Sequence, residues 1–470
     1  MRNLLLASLL LTLSAATAHA ASAFQVVPPG SSIQDAIDNA LPNGTIVVQG
    51  YHKECSTLYA NVTGLKLLGS NATLEGLSGT TLTLCADNVT IQGFKFVNGE
   101  AHINLNGFTG TKVLKNSFVN SEDDAVSGSG DGISIIGNVF TSNYENIDVE
   151  SNNYSGKSVA ANTPNILVQA NVTQGAYYGI YVYSDDAWVI GNTIQDVNFG
   201  VGFYVDGQFP RAVGNTVLNA CISDAYQGGG PDAAGIVVNN QSSGGSLIQG
   251  NFVSGGIVGI SYFGTPNGNP TIQFNHVDGS MGLYGESSGI YVHTSQRPGK
   301  GIGYGPATVA SNTVTDCNGP GVTVYTTLGG VYGNAVSNTW GMLIFGSQIF
   351  ISGNVVTNSY AVGLYIVGDT NTISSNVVNG AVNGIWLLEG SNNIINNCLV
   401  YNCRGAGLEN QSDSTIVRRS SFYSLHNPVS TGGAFSQYTG NVPAGTTTGP
   451  SAGGTWPTDL VQPALFNGFI

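Results

Sequence analysis

Asparagine recurs along this chain at intervals that are mostly 20 to 24 residues. The recurring positions are Asn116, Asn138, Asn171, Asn192, Asn215, Asn251, Asn275, Asn312, Asn334, Asn354, Asn376 and Asn397. So short a period, rich in β-branched residues and lacking a helical segment, is typical of a solenoid of short parallel strands. Each repeat buries its apolar face only against its neighbours, so we expect function to lie on the outer surface of the coil.

One repeat can be written out from residues 179–192. Gly-Ile-Tyr-Val-Tyr is followed by a turn and then by Trp-Val-Ile-Gly-Asn. Alternate apolar residues of such strands point into the coil. Asparagine suits the turn because it tolerates left-handed backbone angles and its amide can bond to an equivalent amide one coil away. The asparagines therefore predict a structural ladder.

The two ends of the chain differ from the repeats. Residues 1–20 carry an apolar run that ends in Ala-His-Ala, which predicts a secretory signal peptide. Residues 31–40 begin with a Ser cap and have helical apolar spacing, which predicts a short helix that closes the end of the coil. The coil is expected to span residues 21–428, with a Gly/Thr/Pro-rich tail over residues 429–470.

Charge and cysteine content limit the partners. The formal net charge of −14 argues against nucleic acid and anionic membranes. After the signal peptide, no apolar run is long enough to span a membrane, so we expect a secreted or periplasmic protein. Among the six cysteines, Cys398 and Cys403 form the expected disulfide, and the others are expected to be buried free thiols.

The Gly-Ile-X-Val…Gly-Asn repeats, the capping helix and the signal peptide together resemble the right-handed parallel β-helix superfamily. This superfamily includes pectate-lyase-like enzymes, mannuronan epimerases and a periplasmic accessory protein of copper-site maturation. The resemblance implies an all-β, right-handed parallel β-helix, and the asparagine count indicates about a dozen coils. The epimerases' Asp-Pro-His-Asp motif and the polygalacturonases' Gly-His-Gly motif are both absent from this sequence, which disfavours those two activities.

Insertions break the period on both sides of one strand. They fall around residues 151–163, 221–234, 279–288 and 294–305. Loops that lengthen on one side of a solenoid usually line its binding face. We therefore expect these insertions to wall a groove over the outward face of that strand.

Alternation along that strand predicts which residues point outward, and nearly every coil offers an aromatic ring. The predicted substrate-binding residues are Tyr181, Tyr183, Tyr204, Asn239, Phe263, Tyr291 and Tyr325. Aromatic rings on successive coils, about 4.8 Å apart, could stack on the sugars of an extracellular polysaccharide. Alternatively, the rings stack on one another and stabilise the strand ladder.

Acidic residues cluster at one end of this row. Asp148 and Glu150 share the outer face of one strand, while Asp185 and Asp206 lie at the same distance from their asparagines and are expected to stack. These carboxylates could hold a calcium ion that acidifies a uronate proton for a lyase. Two of them could instead be the acid and base of a glycosidase, or all could be solvated turn residues.

A second candidate region lies about five coils further on. His293 is followed by a loop that contains Arg297 and Lys300, which offers the cation and the proton-transfer group that a lyase or epimerase needs. Asp148 and His293 would be about 24 Å apart at the usual strand spacing, so one compact site does not contain both.

Three classes of function follow from these residues. The first is an enzyme acting on a uronate-containing polysaccharide as a lyase or epimerase, with a glycoside hydrolase using Asp148, Glu150 and Asp185 as the alternative. The second is a non-catalytic glycan-binding or adhesive protein. The third is a periplasmic accessory protein, which the scattered histidines disfavour.

Overall fold

A computed structural model describes the chain as a coil of parallel strands with one short helix. The described residues are 22–54, 56–77, 79–152, 165–198, 200–220, 234–240, 244–256, 258–280, 288–294, 304–433, 437–439 and 447–448. The coil makes about 16 turns, more than the dozen predicted, because the asparagines do not mark the coils before Asn116 or after Asn397.

Each regular coil contributes three strands, which stack into three faces. Face 1 is a parallel sheet, and its strands carry the outward-pointing residues that the sequence analysis singled out. Its strands are Leu58–Ala60, Thr80–Leu84, Ala101–Asn104, Asp124–Ser129, Glu145–Glu150, Tyr178–Tyr183, Phe203–Asp206, Ala234–Asn240, Val258–Gly264, Ile290–His293, Val322–Tyr325, Met342–Phe345, Val362–Val367, Asn383–Glu389, Ala406–Asn410, Asn427–Thr431 and Thr447–Thr448.

Faces 2 and 3 are the other two sides of the coil. Ser22–Val27 pairs with the first of three strands that run through both faces, Ala40–Glu54, Lys66–Gly76 and Thr90–Val97. Face 2 continues with Lys112–Leu114, Ile133–Ile136, Ile166–Gln169, Ala187–Ile190, Arg211–Val213, Leu247–Gln249, Thr271–Gln273, Thr308–Ala310, Gly330–Tyr332, Phe350–Ser352, Thr372–Ser374, Ile394–Asn396, Ile416–Arg418 and Gln437–Thr439. Face 3 continues with Ser117–Val119, Val139–Thr141, Val172–Gln174, Thr193–Val197, Thr216–Ala220, Phe252–Ser254, His276–Asp278, Thr313–Thr315, Ala335–Ser337, Val355–Thr357, Val377–Asn379, Leu399–Cys403 and Ser421–Ser424.

Inward-pointing apolar side chains from all three faces form one continuous core. Equivalent residues stack along the axis, as Phe96, Phe118 and Phe140 do with ring centroids 5.0 and 4.8 Å apart. Burying each Val, Leu, Ile or Phe side chain stabilises the fold by roughly 1.5–3 kcal/mol relative to leaving it exposed. His102 lies against Phe96 and Phe118, where burial lowers its pKa to about 4.

The asparagine ladder lies at the bend between faces 2 and 3. The residue before each ladder position has a left-handed φ, as in Ala170 (53°) and Phe274 (57°). Asn251 shows the bonding pattern, since its Nδ2 donates to Ala212 O and to Oδ1 of Asn275 at 2.9 Å each. Its backbone N–H donates to the same Oδ1 at 3.0 Å. The predicted structural role of the asparagines is confirmed.

The last predicted anchor, Asn397, is wrong by one residue. Asn397 has the left-handed φ of 56°, and Cys398 takes the buried ladder position, where its backbone N–H donates to Ser420 Oγ. The predicted Cys398–Cys403 disulfide is also wrong, because both thiols are free. The two thiols have different partners. That of Cys398, just before strand Leu399–Cys403, donates to Ile373 O, whereas that of Cys403, at the end of the strand, donates to Tyr401 O.

The ends of the coil differ from its middle. Helix Ile33–Asp38 is capped by the side chain of Ser32 and buries Ile33, Ala36 and Ile37 against the first coil, as predicted. Past residue 428, strands Gln437–Thr439 and Thr447–Thr448 still pair with the preceding coils. The predicted signal peptide lies outside the described residues. Within the described residues, no helix has the length and apolar character needed to cross a membrane.

Face 1 begins at a corner where neighbouring backbones come very close. A Cβ on Gly384 would lie 2.3 Å from Gly407 O and 2.2 Å from Val400 Cγ1. Glycine is needed there because any side chain would collide with the next coil. In the coils of Ala125 and Asn146 this corner residue is not glycine, and these are the coils that carry the carboxylates described below.

Candidate functional site

Strand register on face 1 places outward residues in two rows along the coil. Row A contains Ser127, Asp148, Tyr181, Tyr204, Val237, Ser261, Tyr291, Thr323, Leu343, Tyr365, Trp386 and Glu409. Row B contains Ser129, Glu150, Tyr183, Asp206, Asn239, Phe263, His293, Tyr325, Phe345 and Val367. The alternation used to predict the outward residues is therefore correct in register.

A third row was missed because it breaks the alternation. It lies three residues before row A and begins with Asp124, Glu145 and Tyr178, which pair with one another across successive coils. In the strand Glu145–Glu150 the two residues after Glu145 are both buried, so Glu145 and Asp148 are partly exposed on the same side. The chain bends into the strand at this point, and a strict period of two does not apply.

Three carboxylates converge where row A meets the third row. Asp124, Glu145 and Asp148 each place one carboxylate oxygen within 4.8 Å of the others. Glu145 and Asp124 are hydrogen-bonded to each other, and Asp124 also bonds to Ser127. We call Asp124, Glu145 and Asp148 the carboxylate cluster. It contains only one of the predicted catalytic residues, Asp148.

Burial and mutual repulsion shift the ionisation of the carboxylate cluster. Burial raises the pKa of Glu145 to about 8, helped by its hydrogen bond to Asp124 and by the nearby charges. Burial also raises the pKa of Asp148 to about 6, together with the charges of Asp124 and Glu150. At neutral pH, Glu145 therefore holds a proton while Asp148 is ionised. Two neighbouring carboxyl groups whose pKa values differ in this way are suited to act as acid and base.

The other predicted acids lie outside this cluster. Glu150 is exposed and acts on the cluster only through its charge. Asp185 is buried in the turn after Tyr178–Tyr183, where it accepts a hydrogen bond of 2.8 Å from the backbone N–H of Gln208. Burial raises the pKa of Asp185. Neither Asp185 nor Glu150 belongs to the group of carboxylates within 4.8 Å of one another, and their joining with Asp148 in one site stays a prediction.

Asp206 does not stack on Asp185, contrary to the prediction. It pairs with Tyr183 in row B, because its coil has two extra residues between the asparagine and the strand. Tyr204 donates to Oδ2 of Asp206 at 3.1 Å. Asn239 donates to the same oxygen at 3.0 Å and to the hydroxyl of Tyr204 at 3.1 Å. Asp206, proposed as a calcium ligand, is thus held in a network with two predicted substrate-binding residues.

Tyr183 lies between this network and the carboxylate cluster. Burial and the charges of Asp148 and Asp206 raise the pKa of Tyr183 to about 12. Burial is also the main cause of the raised pKa of Tyr181. Both phenols are therefore neutral donors at physiological pH, suited to bonding sugar hydroxyls.

The outward rings of the later coils stack mainly on one another. Tyr325 and Phe345 are parallel within 8°, with centroids 4.5 Å apart, and Tyr291 contacts Phe263 and Tyr325. Their faces are largely occupied by other rings, which is the alternative structural interpretation of this row. His293 is buried among Tyr291, Tyr304 and Tyr325.

The residues predicted to wall the groove lie largely outside the described part of the chain. Arg297 and Lys300 lie outside the described residues, as do most of the insertions around 151–163, 221–234 and 294–305. Their expected roles stay predictions.

Comparisons with known proteins agree with the coiled architecture. Residues 256–422 match the family described as "Right handed beta helix region". No curated protein matches the chain.

Three solved structures are similar in part. The catalytic unit of an α-1,3-glucanase from Streptomyces thermodiastaticus strain HF3-3 is 14% identical, covering 90% of this chain and 67% of that chain with a TM-score of 0.36. An alginate lyase from Paenibacillus sp. str. FPU-7 is 16% identical, and the match covers 71% of this chain and 97% of that chain with a TM-score of 0.32. PfbA, a surface adhesin of Streptococcus pneumoniae, is 13% identical, and the match covers 87% of this chain and 88% of that chain with a TM-score of 0.33.

At these identities and TM-scores the likeness carries no inference about activity. The family match covers residues 256–422, and the strand pairing continues in the same way on both sides of it. The chain is therefore a solenoid of parallel strands, of which residues 256–422 match the right-handed β-helix family.

Proposed function

We propose that this protein is an exported glycoside hydrolase that binds a neutral polysaccharide along face 1 and cleaves it at the carboxylate cluster. The observation that carries the proposal is the pair Glu145 and Asp148, whose oxygens are within 4.8 Å and whose pKa values are about 8 and about 6. One carboxyl group is protonated and its neighbour is ionised at the same pH, as glycoside hydrolysis requires.

The chemistry assigns a role to each carboxyl group. Glu145 gives its proton to the glycosidic oxygen as the bond from that oxygen to the anomeric carbon breaks. Asp148 forms an ester with the anomeric carbon, and a water molecule then hydrolyses the ester while Glu145 takes back a proton. Oxygens within 4.8 Å of one another favour this retaining route, because an inverting enzyme needs about 6.5 Å or more to admit a water between the two groups. Asp124, hydrogen-bonded to Glu145, positions its proton.

The charge of the surface favours a neutral substrate. The two outer rows and the start of the third contain carboxylates and no lysine or arginine within the described residues. A uronate polymer would meet repulsion there, whereas a neutral polysaccharide would meet hydroxyl, amide and phenol groups in Tyr183, Tyr204 and Asn239. The geometry thus favours hydrolase over lyase or epimerase, the reverse of the order that the sequence suggested.

A calcium-dependent lyase is the second candidate, supported by the convergence of three carboxylates. Oxygens within 4.8 Å of one another can reach a common ion at 2.3–2.6 Å, so Asp124, Glu145 and Asp148 fit calcium as three of its six to eight ligands. The ion would supply the positive charge that neutralises a uronate carboxylate. Glu150, Asp185 and Asp206 do not join this group.

One assay separates these functions. The purified protein is incubated with neutral and uronate-containing polysaccharides, with and without a calcium chelator, while reducing ends and the absorbance of unsaturated uronates are followed. The proposal expects new reducing ends from a neutral polymer, no unsaturated product, no loss on chelation and no activity in Glu145→Gln. Unsaturated uronates that vanish on chelation would establish the lyase. Binding without cleavage of any polymer would make the chain a glycan-binding protein.

A further inference from the structure

A corner of three tyrosines stands at the edge of the carboxylate cluster. The rings of Tyr144 and Tyr177 are parallel within 10°, with centroids 5.0 Å apart. Tyr178 is nearly perpendicular to both, with centroids 5.7 and 5.0 Å away, and it also contacts Tyr181 of row A edge-on. The corner is therefore continuous with the outer rows of face 1. We call Tyr144, Tyr177 and Tyr178 the tyrosine corner.

The backbone holds the tyrosine corner in place. The N–H groups of Tyr177 and Tyr178 both donate to the carbonyl oxygen of Tyr144 at 3.0 Å. On the far side, a Cβ on Gly200 would lie 2.3 Å from Cδ1 of Tyr178 and 2.9 Å from the hydroxyl of Tyr181. Tyr178 thus packs against a position that has no side chain. The corner has little freedom to rearrange when a ligand arrives.

Among the described residues, the ring that covers a face of Tyr144 is that of Tyr177. Tyr177 takes the face toward the next coil, and no described ring lies against the opposite face. One coil earlier, Glu122 and Asp123 both lie opposite Tyr144, because the N–H of Tyr144 donates to Ser121 O and that of Glu145 donates to Asp123 O. Of these two residues, Asp123 is the one whose charge acts on Glu145 and Asp148. Asp123 is short and exposed, and Tyr144 remains 42% exposed. The face of Tyr144 that points away from Tyr177 therefore lies on the side of the exposed Asp123.

Tyr144 and Asp123 adjoin the carboxylate cluster along the chain. Tyr144 is the residue before Glu145, and Asp123 is the residue before Asp124. An aromatic face opposite a hydrogen-bond acceptor matches a pyranose ring, which has an apolar face of C–H groups and a rim of hydroxyl donors. A ring that stacked here would place its glycosidic oxygen beside the carboxylate cluster.

We propose that Tyr144 stacks on the sugar ring next to the scissile bond and that Asp123 accepts hydrogen bonds from its hydroxyl groups. This subsite rests on the proposed hydrolase function and adds to it a substrate position that the outer rows do not supply. It takes a neutral pyranose unit, because a carboxylate on the sugar would be repelled by Asp123.

The test measures binding separately from cleavage. Affinity electrophoresis is run in gels containing dextran, laminarin, xylan, galactomannan, polygalacturonate or alginate. All variants carry Glu145→Gln, so that the polymer is not consumed during the run. Onto this parent are added Tyr144→Ala, Tyr144→Trp and Asp123→Asn. Tyr332→Ala is the matched control, since Tyr332 is 43% exposed on face 2.

The proposal expects Tyr144→Ala to weaken retardation by a neutral polymer roughly five- to tenfold. Asp123→Asn should weaken it by a smaller factor, whereas Tyr144→Trp and Tyr332→Ala should bind like the parent. Melting temperatures confirm that each variant is folded. If Tyr144→Ala is retarded as strongly as the parent, the subsite is refuted even where the wild type cleaves the polymer. If no polymer is bound or cleaved by any form, the proposed function fails, and the subsite fails with it.

Discussion

The side-chain amide of Asn275 connects three coils at once. Its Oδ1 accepts hydrogen bonds from the backbone N–H and from Nδ2 of Asn251, while its Nδ2 donates to Ile248 O at 3.0 Å and to Oδ1 of Asn312 at 2.9 Å. Asn275 is 1% exposed, so these bonds form away from water. The ladder is thus a buried chain of amides in which each residue satisfies backbone groups of its neighbours.

Replacing Asn275 by Ala should lower the free energy of unfolding by about 3 kcal/mol. The change leaves the buried N–H of Asn251 and the buried carbonyl of Ile248 without these partners. Denaturant unfolding followed by circular dichroism measures the loss. Asn379→Ala is the control, because the side chain of Asn379 accepts an exposed bond from Asn402, and its loss should cost less than about 1 kcal/mol. Equal losses in the two variants would contradict a structural role for the ladder.

The residue before each ladder position should respond to its left-handed backbone. Phe274 has φ of 57° and is 58% exposed, so Phe274→Asn should raise the free energy of unfolding by up to about 1 kcal/mol. Gly250 holds the equivalent place before Asn251, and a Cβ there would have nothing within 4 Å. Gly250→Ala should still cost about 1 kcal/mol through φ alone. Thermal melts of both variants test the pair, and a neutral Gly250→Ala would exclude the backbone as the cause.

The carboxylate cluster should make the protein less stable as pH rises. The folded-state pKa values of Glu145 and Asp148, about 8 and about 6, lie above their ordinary values of 4.5 and 3.8. The folded state therefore binds more protons between about pH 4 and pH 8, and stability falls as pH increases through this window. Glu145→Gln should flatten the fall in melting temperature measured from pH 5 to pH 9. A steeper fall in that variant would contradict the assignment.

His102 should act in the opposite direction. Burial lowers its pKa to about 4 from 6.5, so the unfolded chain binds this proton first as pH falls. Stability from His102 is complete above pH 6.5 and is lost progressively down to about pH 4, a loss of up to roughly 3 kcal/mol. His102→Phe, which replaces the imidazole by a phenyl ring beside Phe96 and Phe118, should remove this part of the acid sensitivity. Unfolding curves at pH 4 and pH 7 for both proteins measure the difference.

Catalysis should show two ionisations and retained anomeric configuration. On any neutral polymer that is cleaved, kcat/KM should rise with a pKa near 6 as Asp148 ionises and fall near 8 as Glu145 loses its proton. Asp148→Asn should lower kcat by at least about a thousandfold. Glu150→Gln should shift the acidic limb downward, and Asp185→Asn should leave the profile unchanged.

Proton NMR of the first products gives the anomer and tests the spacing of the cluster. A product with inverted anomeric configuration would mean that the general base is a carboxylate further from Glu145 than Asp148 is. Full activity in Asp148→Asn would place the chemistry elsewhere on face 1.

Much of the fold could be predicted because it depends on a repeated local pattern. The asparagines, the alternation of Tyr181 and Tyr183 and the cap at Ser32 each report on their immediate surroundings. The shift from Asn397 to Cys398 arose because asparagine suits both the left-handed position and the ladder position, and only coil-to-coil bonding distinguishes them.

The site was harder to predict because it depends on a departure from the pattern. Glu145 lies three residues before Asp148, and a period of two assigns these residues to opposite sides of the strand. The departure becomes visible only when Asp124 and Glu145 are known to pair across coils. Similarly, Asp206 moved away from Asp185 because two extra residues precede its strand, a displacement that spacing from the asparagine alone does not reveal.

The bend between faces 2 and 3 has the same length in every coil from Asn116 to Ser420, since two residues, such as Ala170 and Asn171, always separate the strands. The connections that border face 1 range from two residues after Cys403 to fifteen after Glu150. The coil therefore has one corner of constant length and two corners whose length varies. Related proteins can therefore change the residues that line face 1 by lengthening those two corners, without changing the spacing between coils.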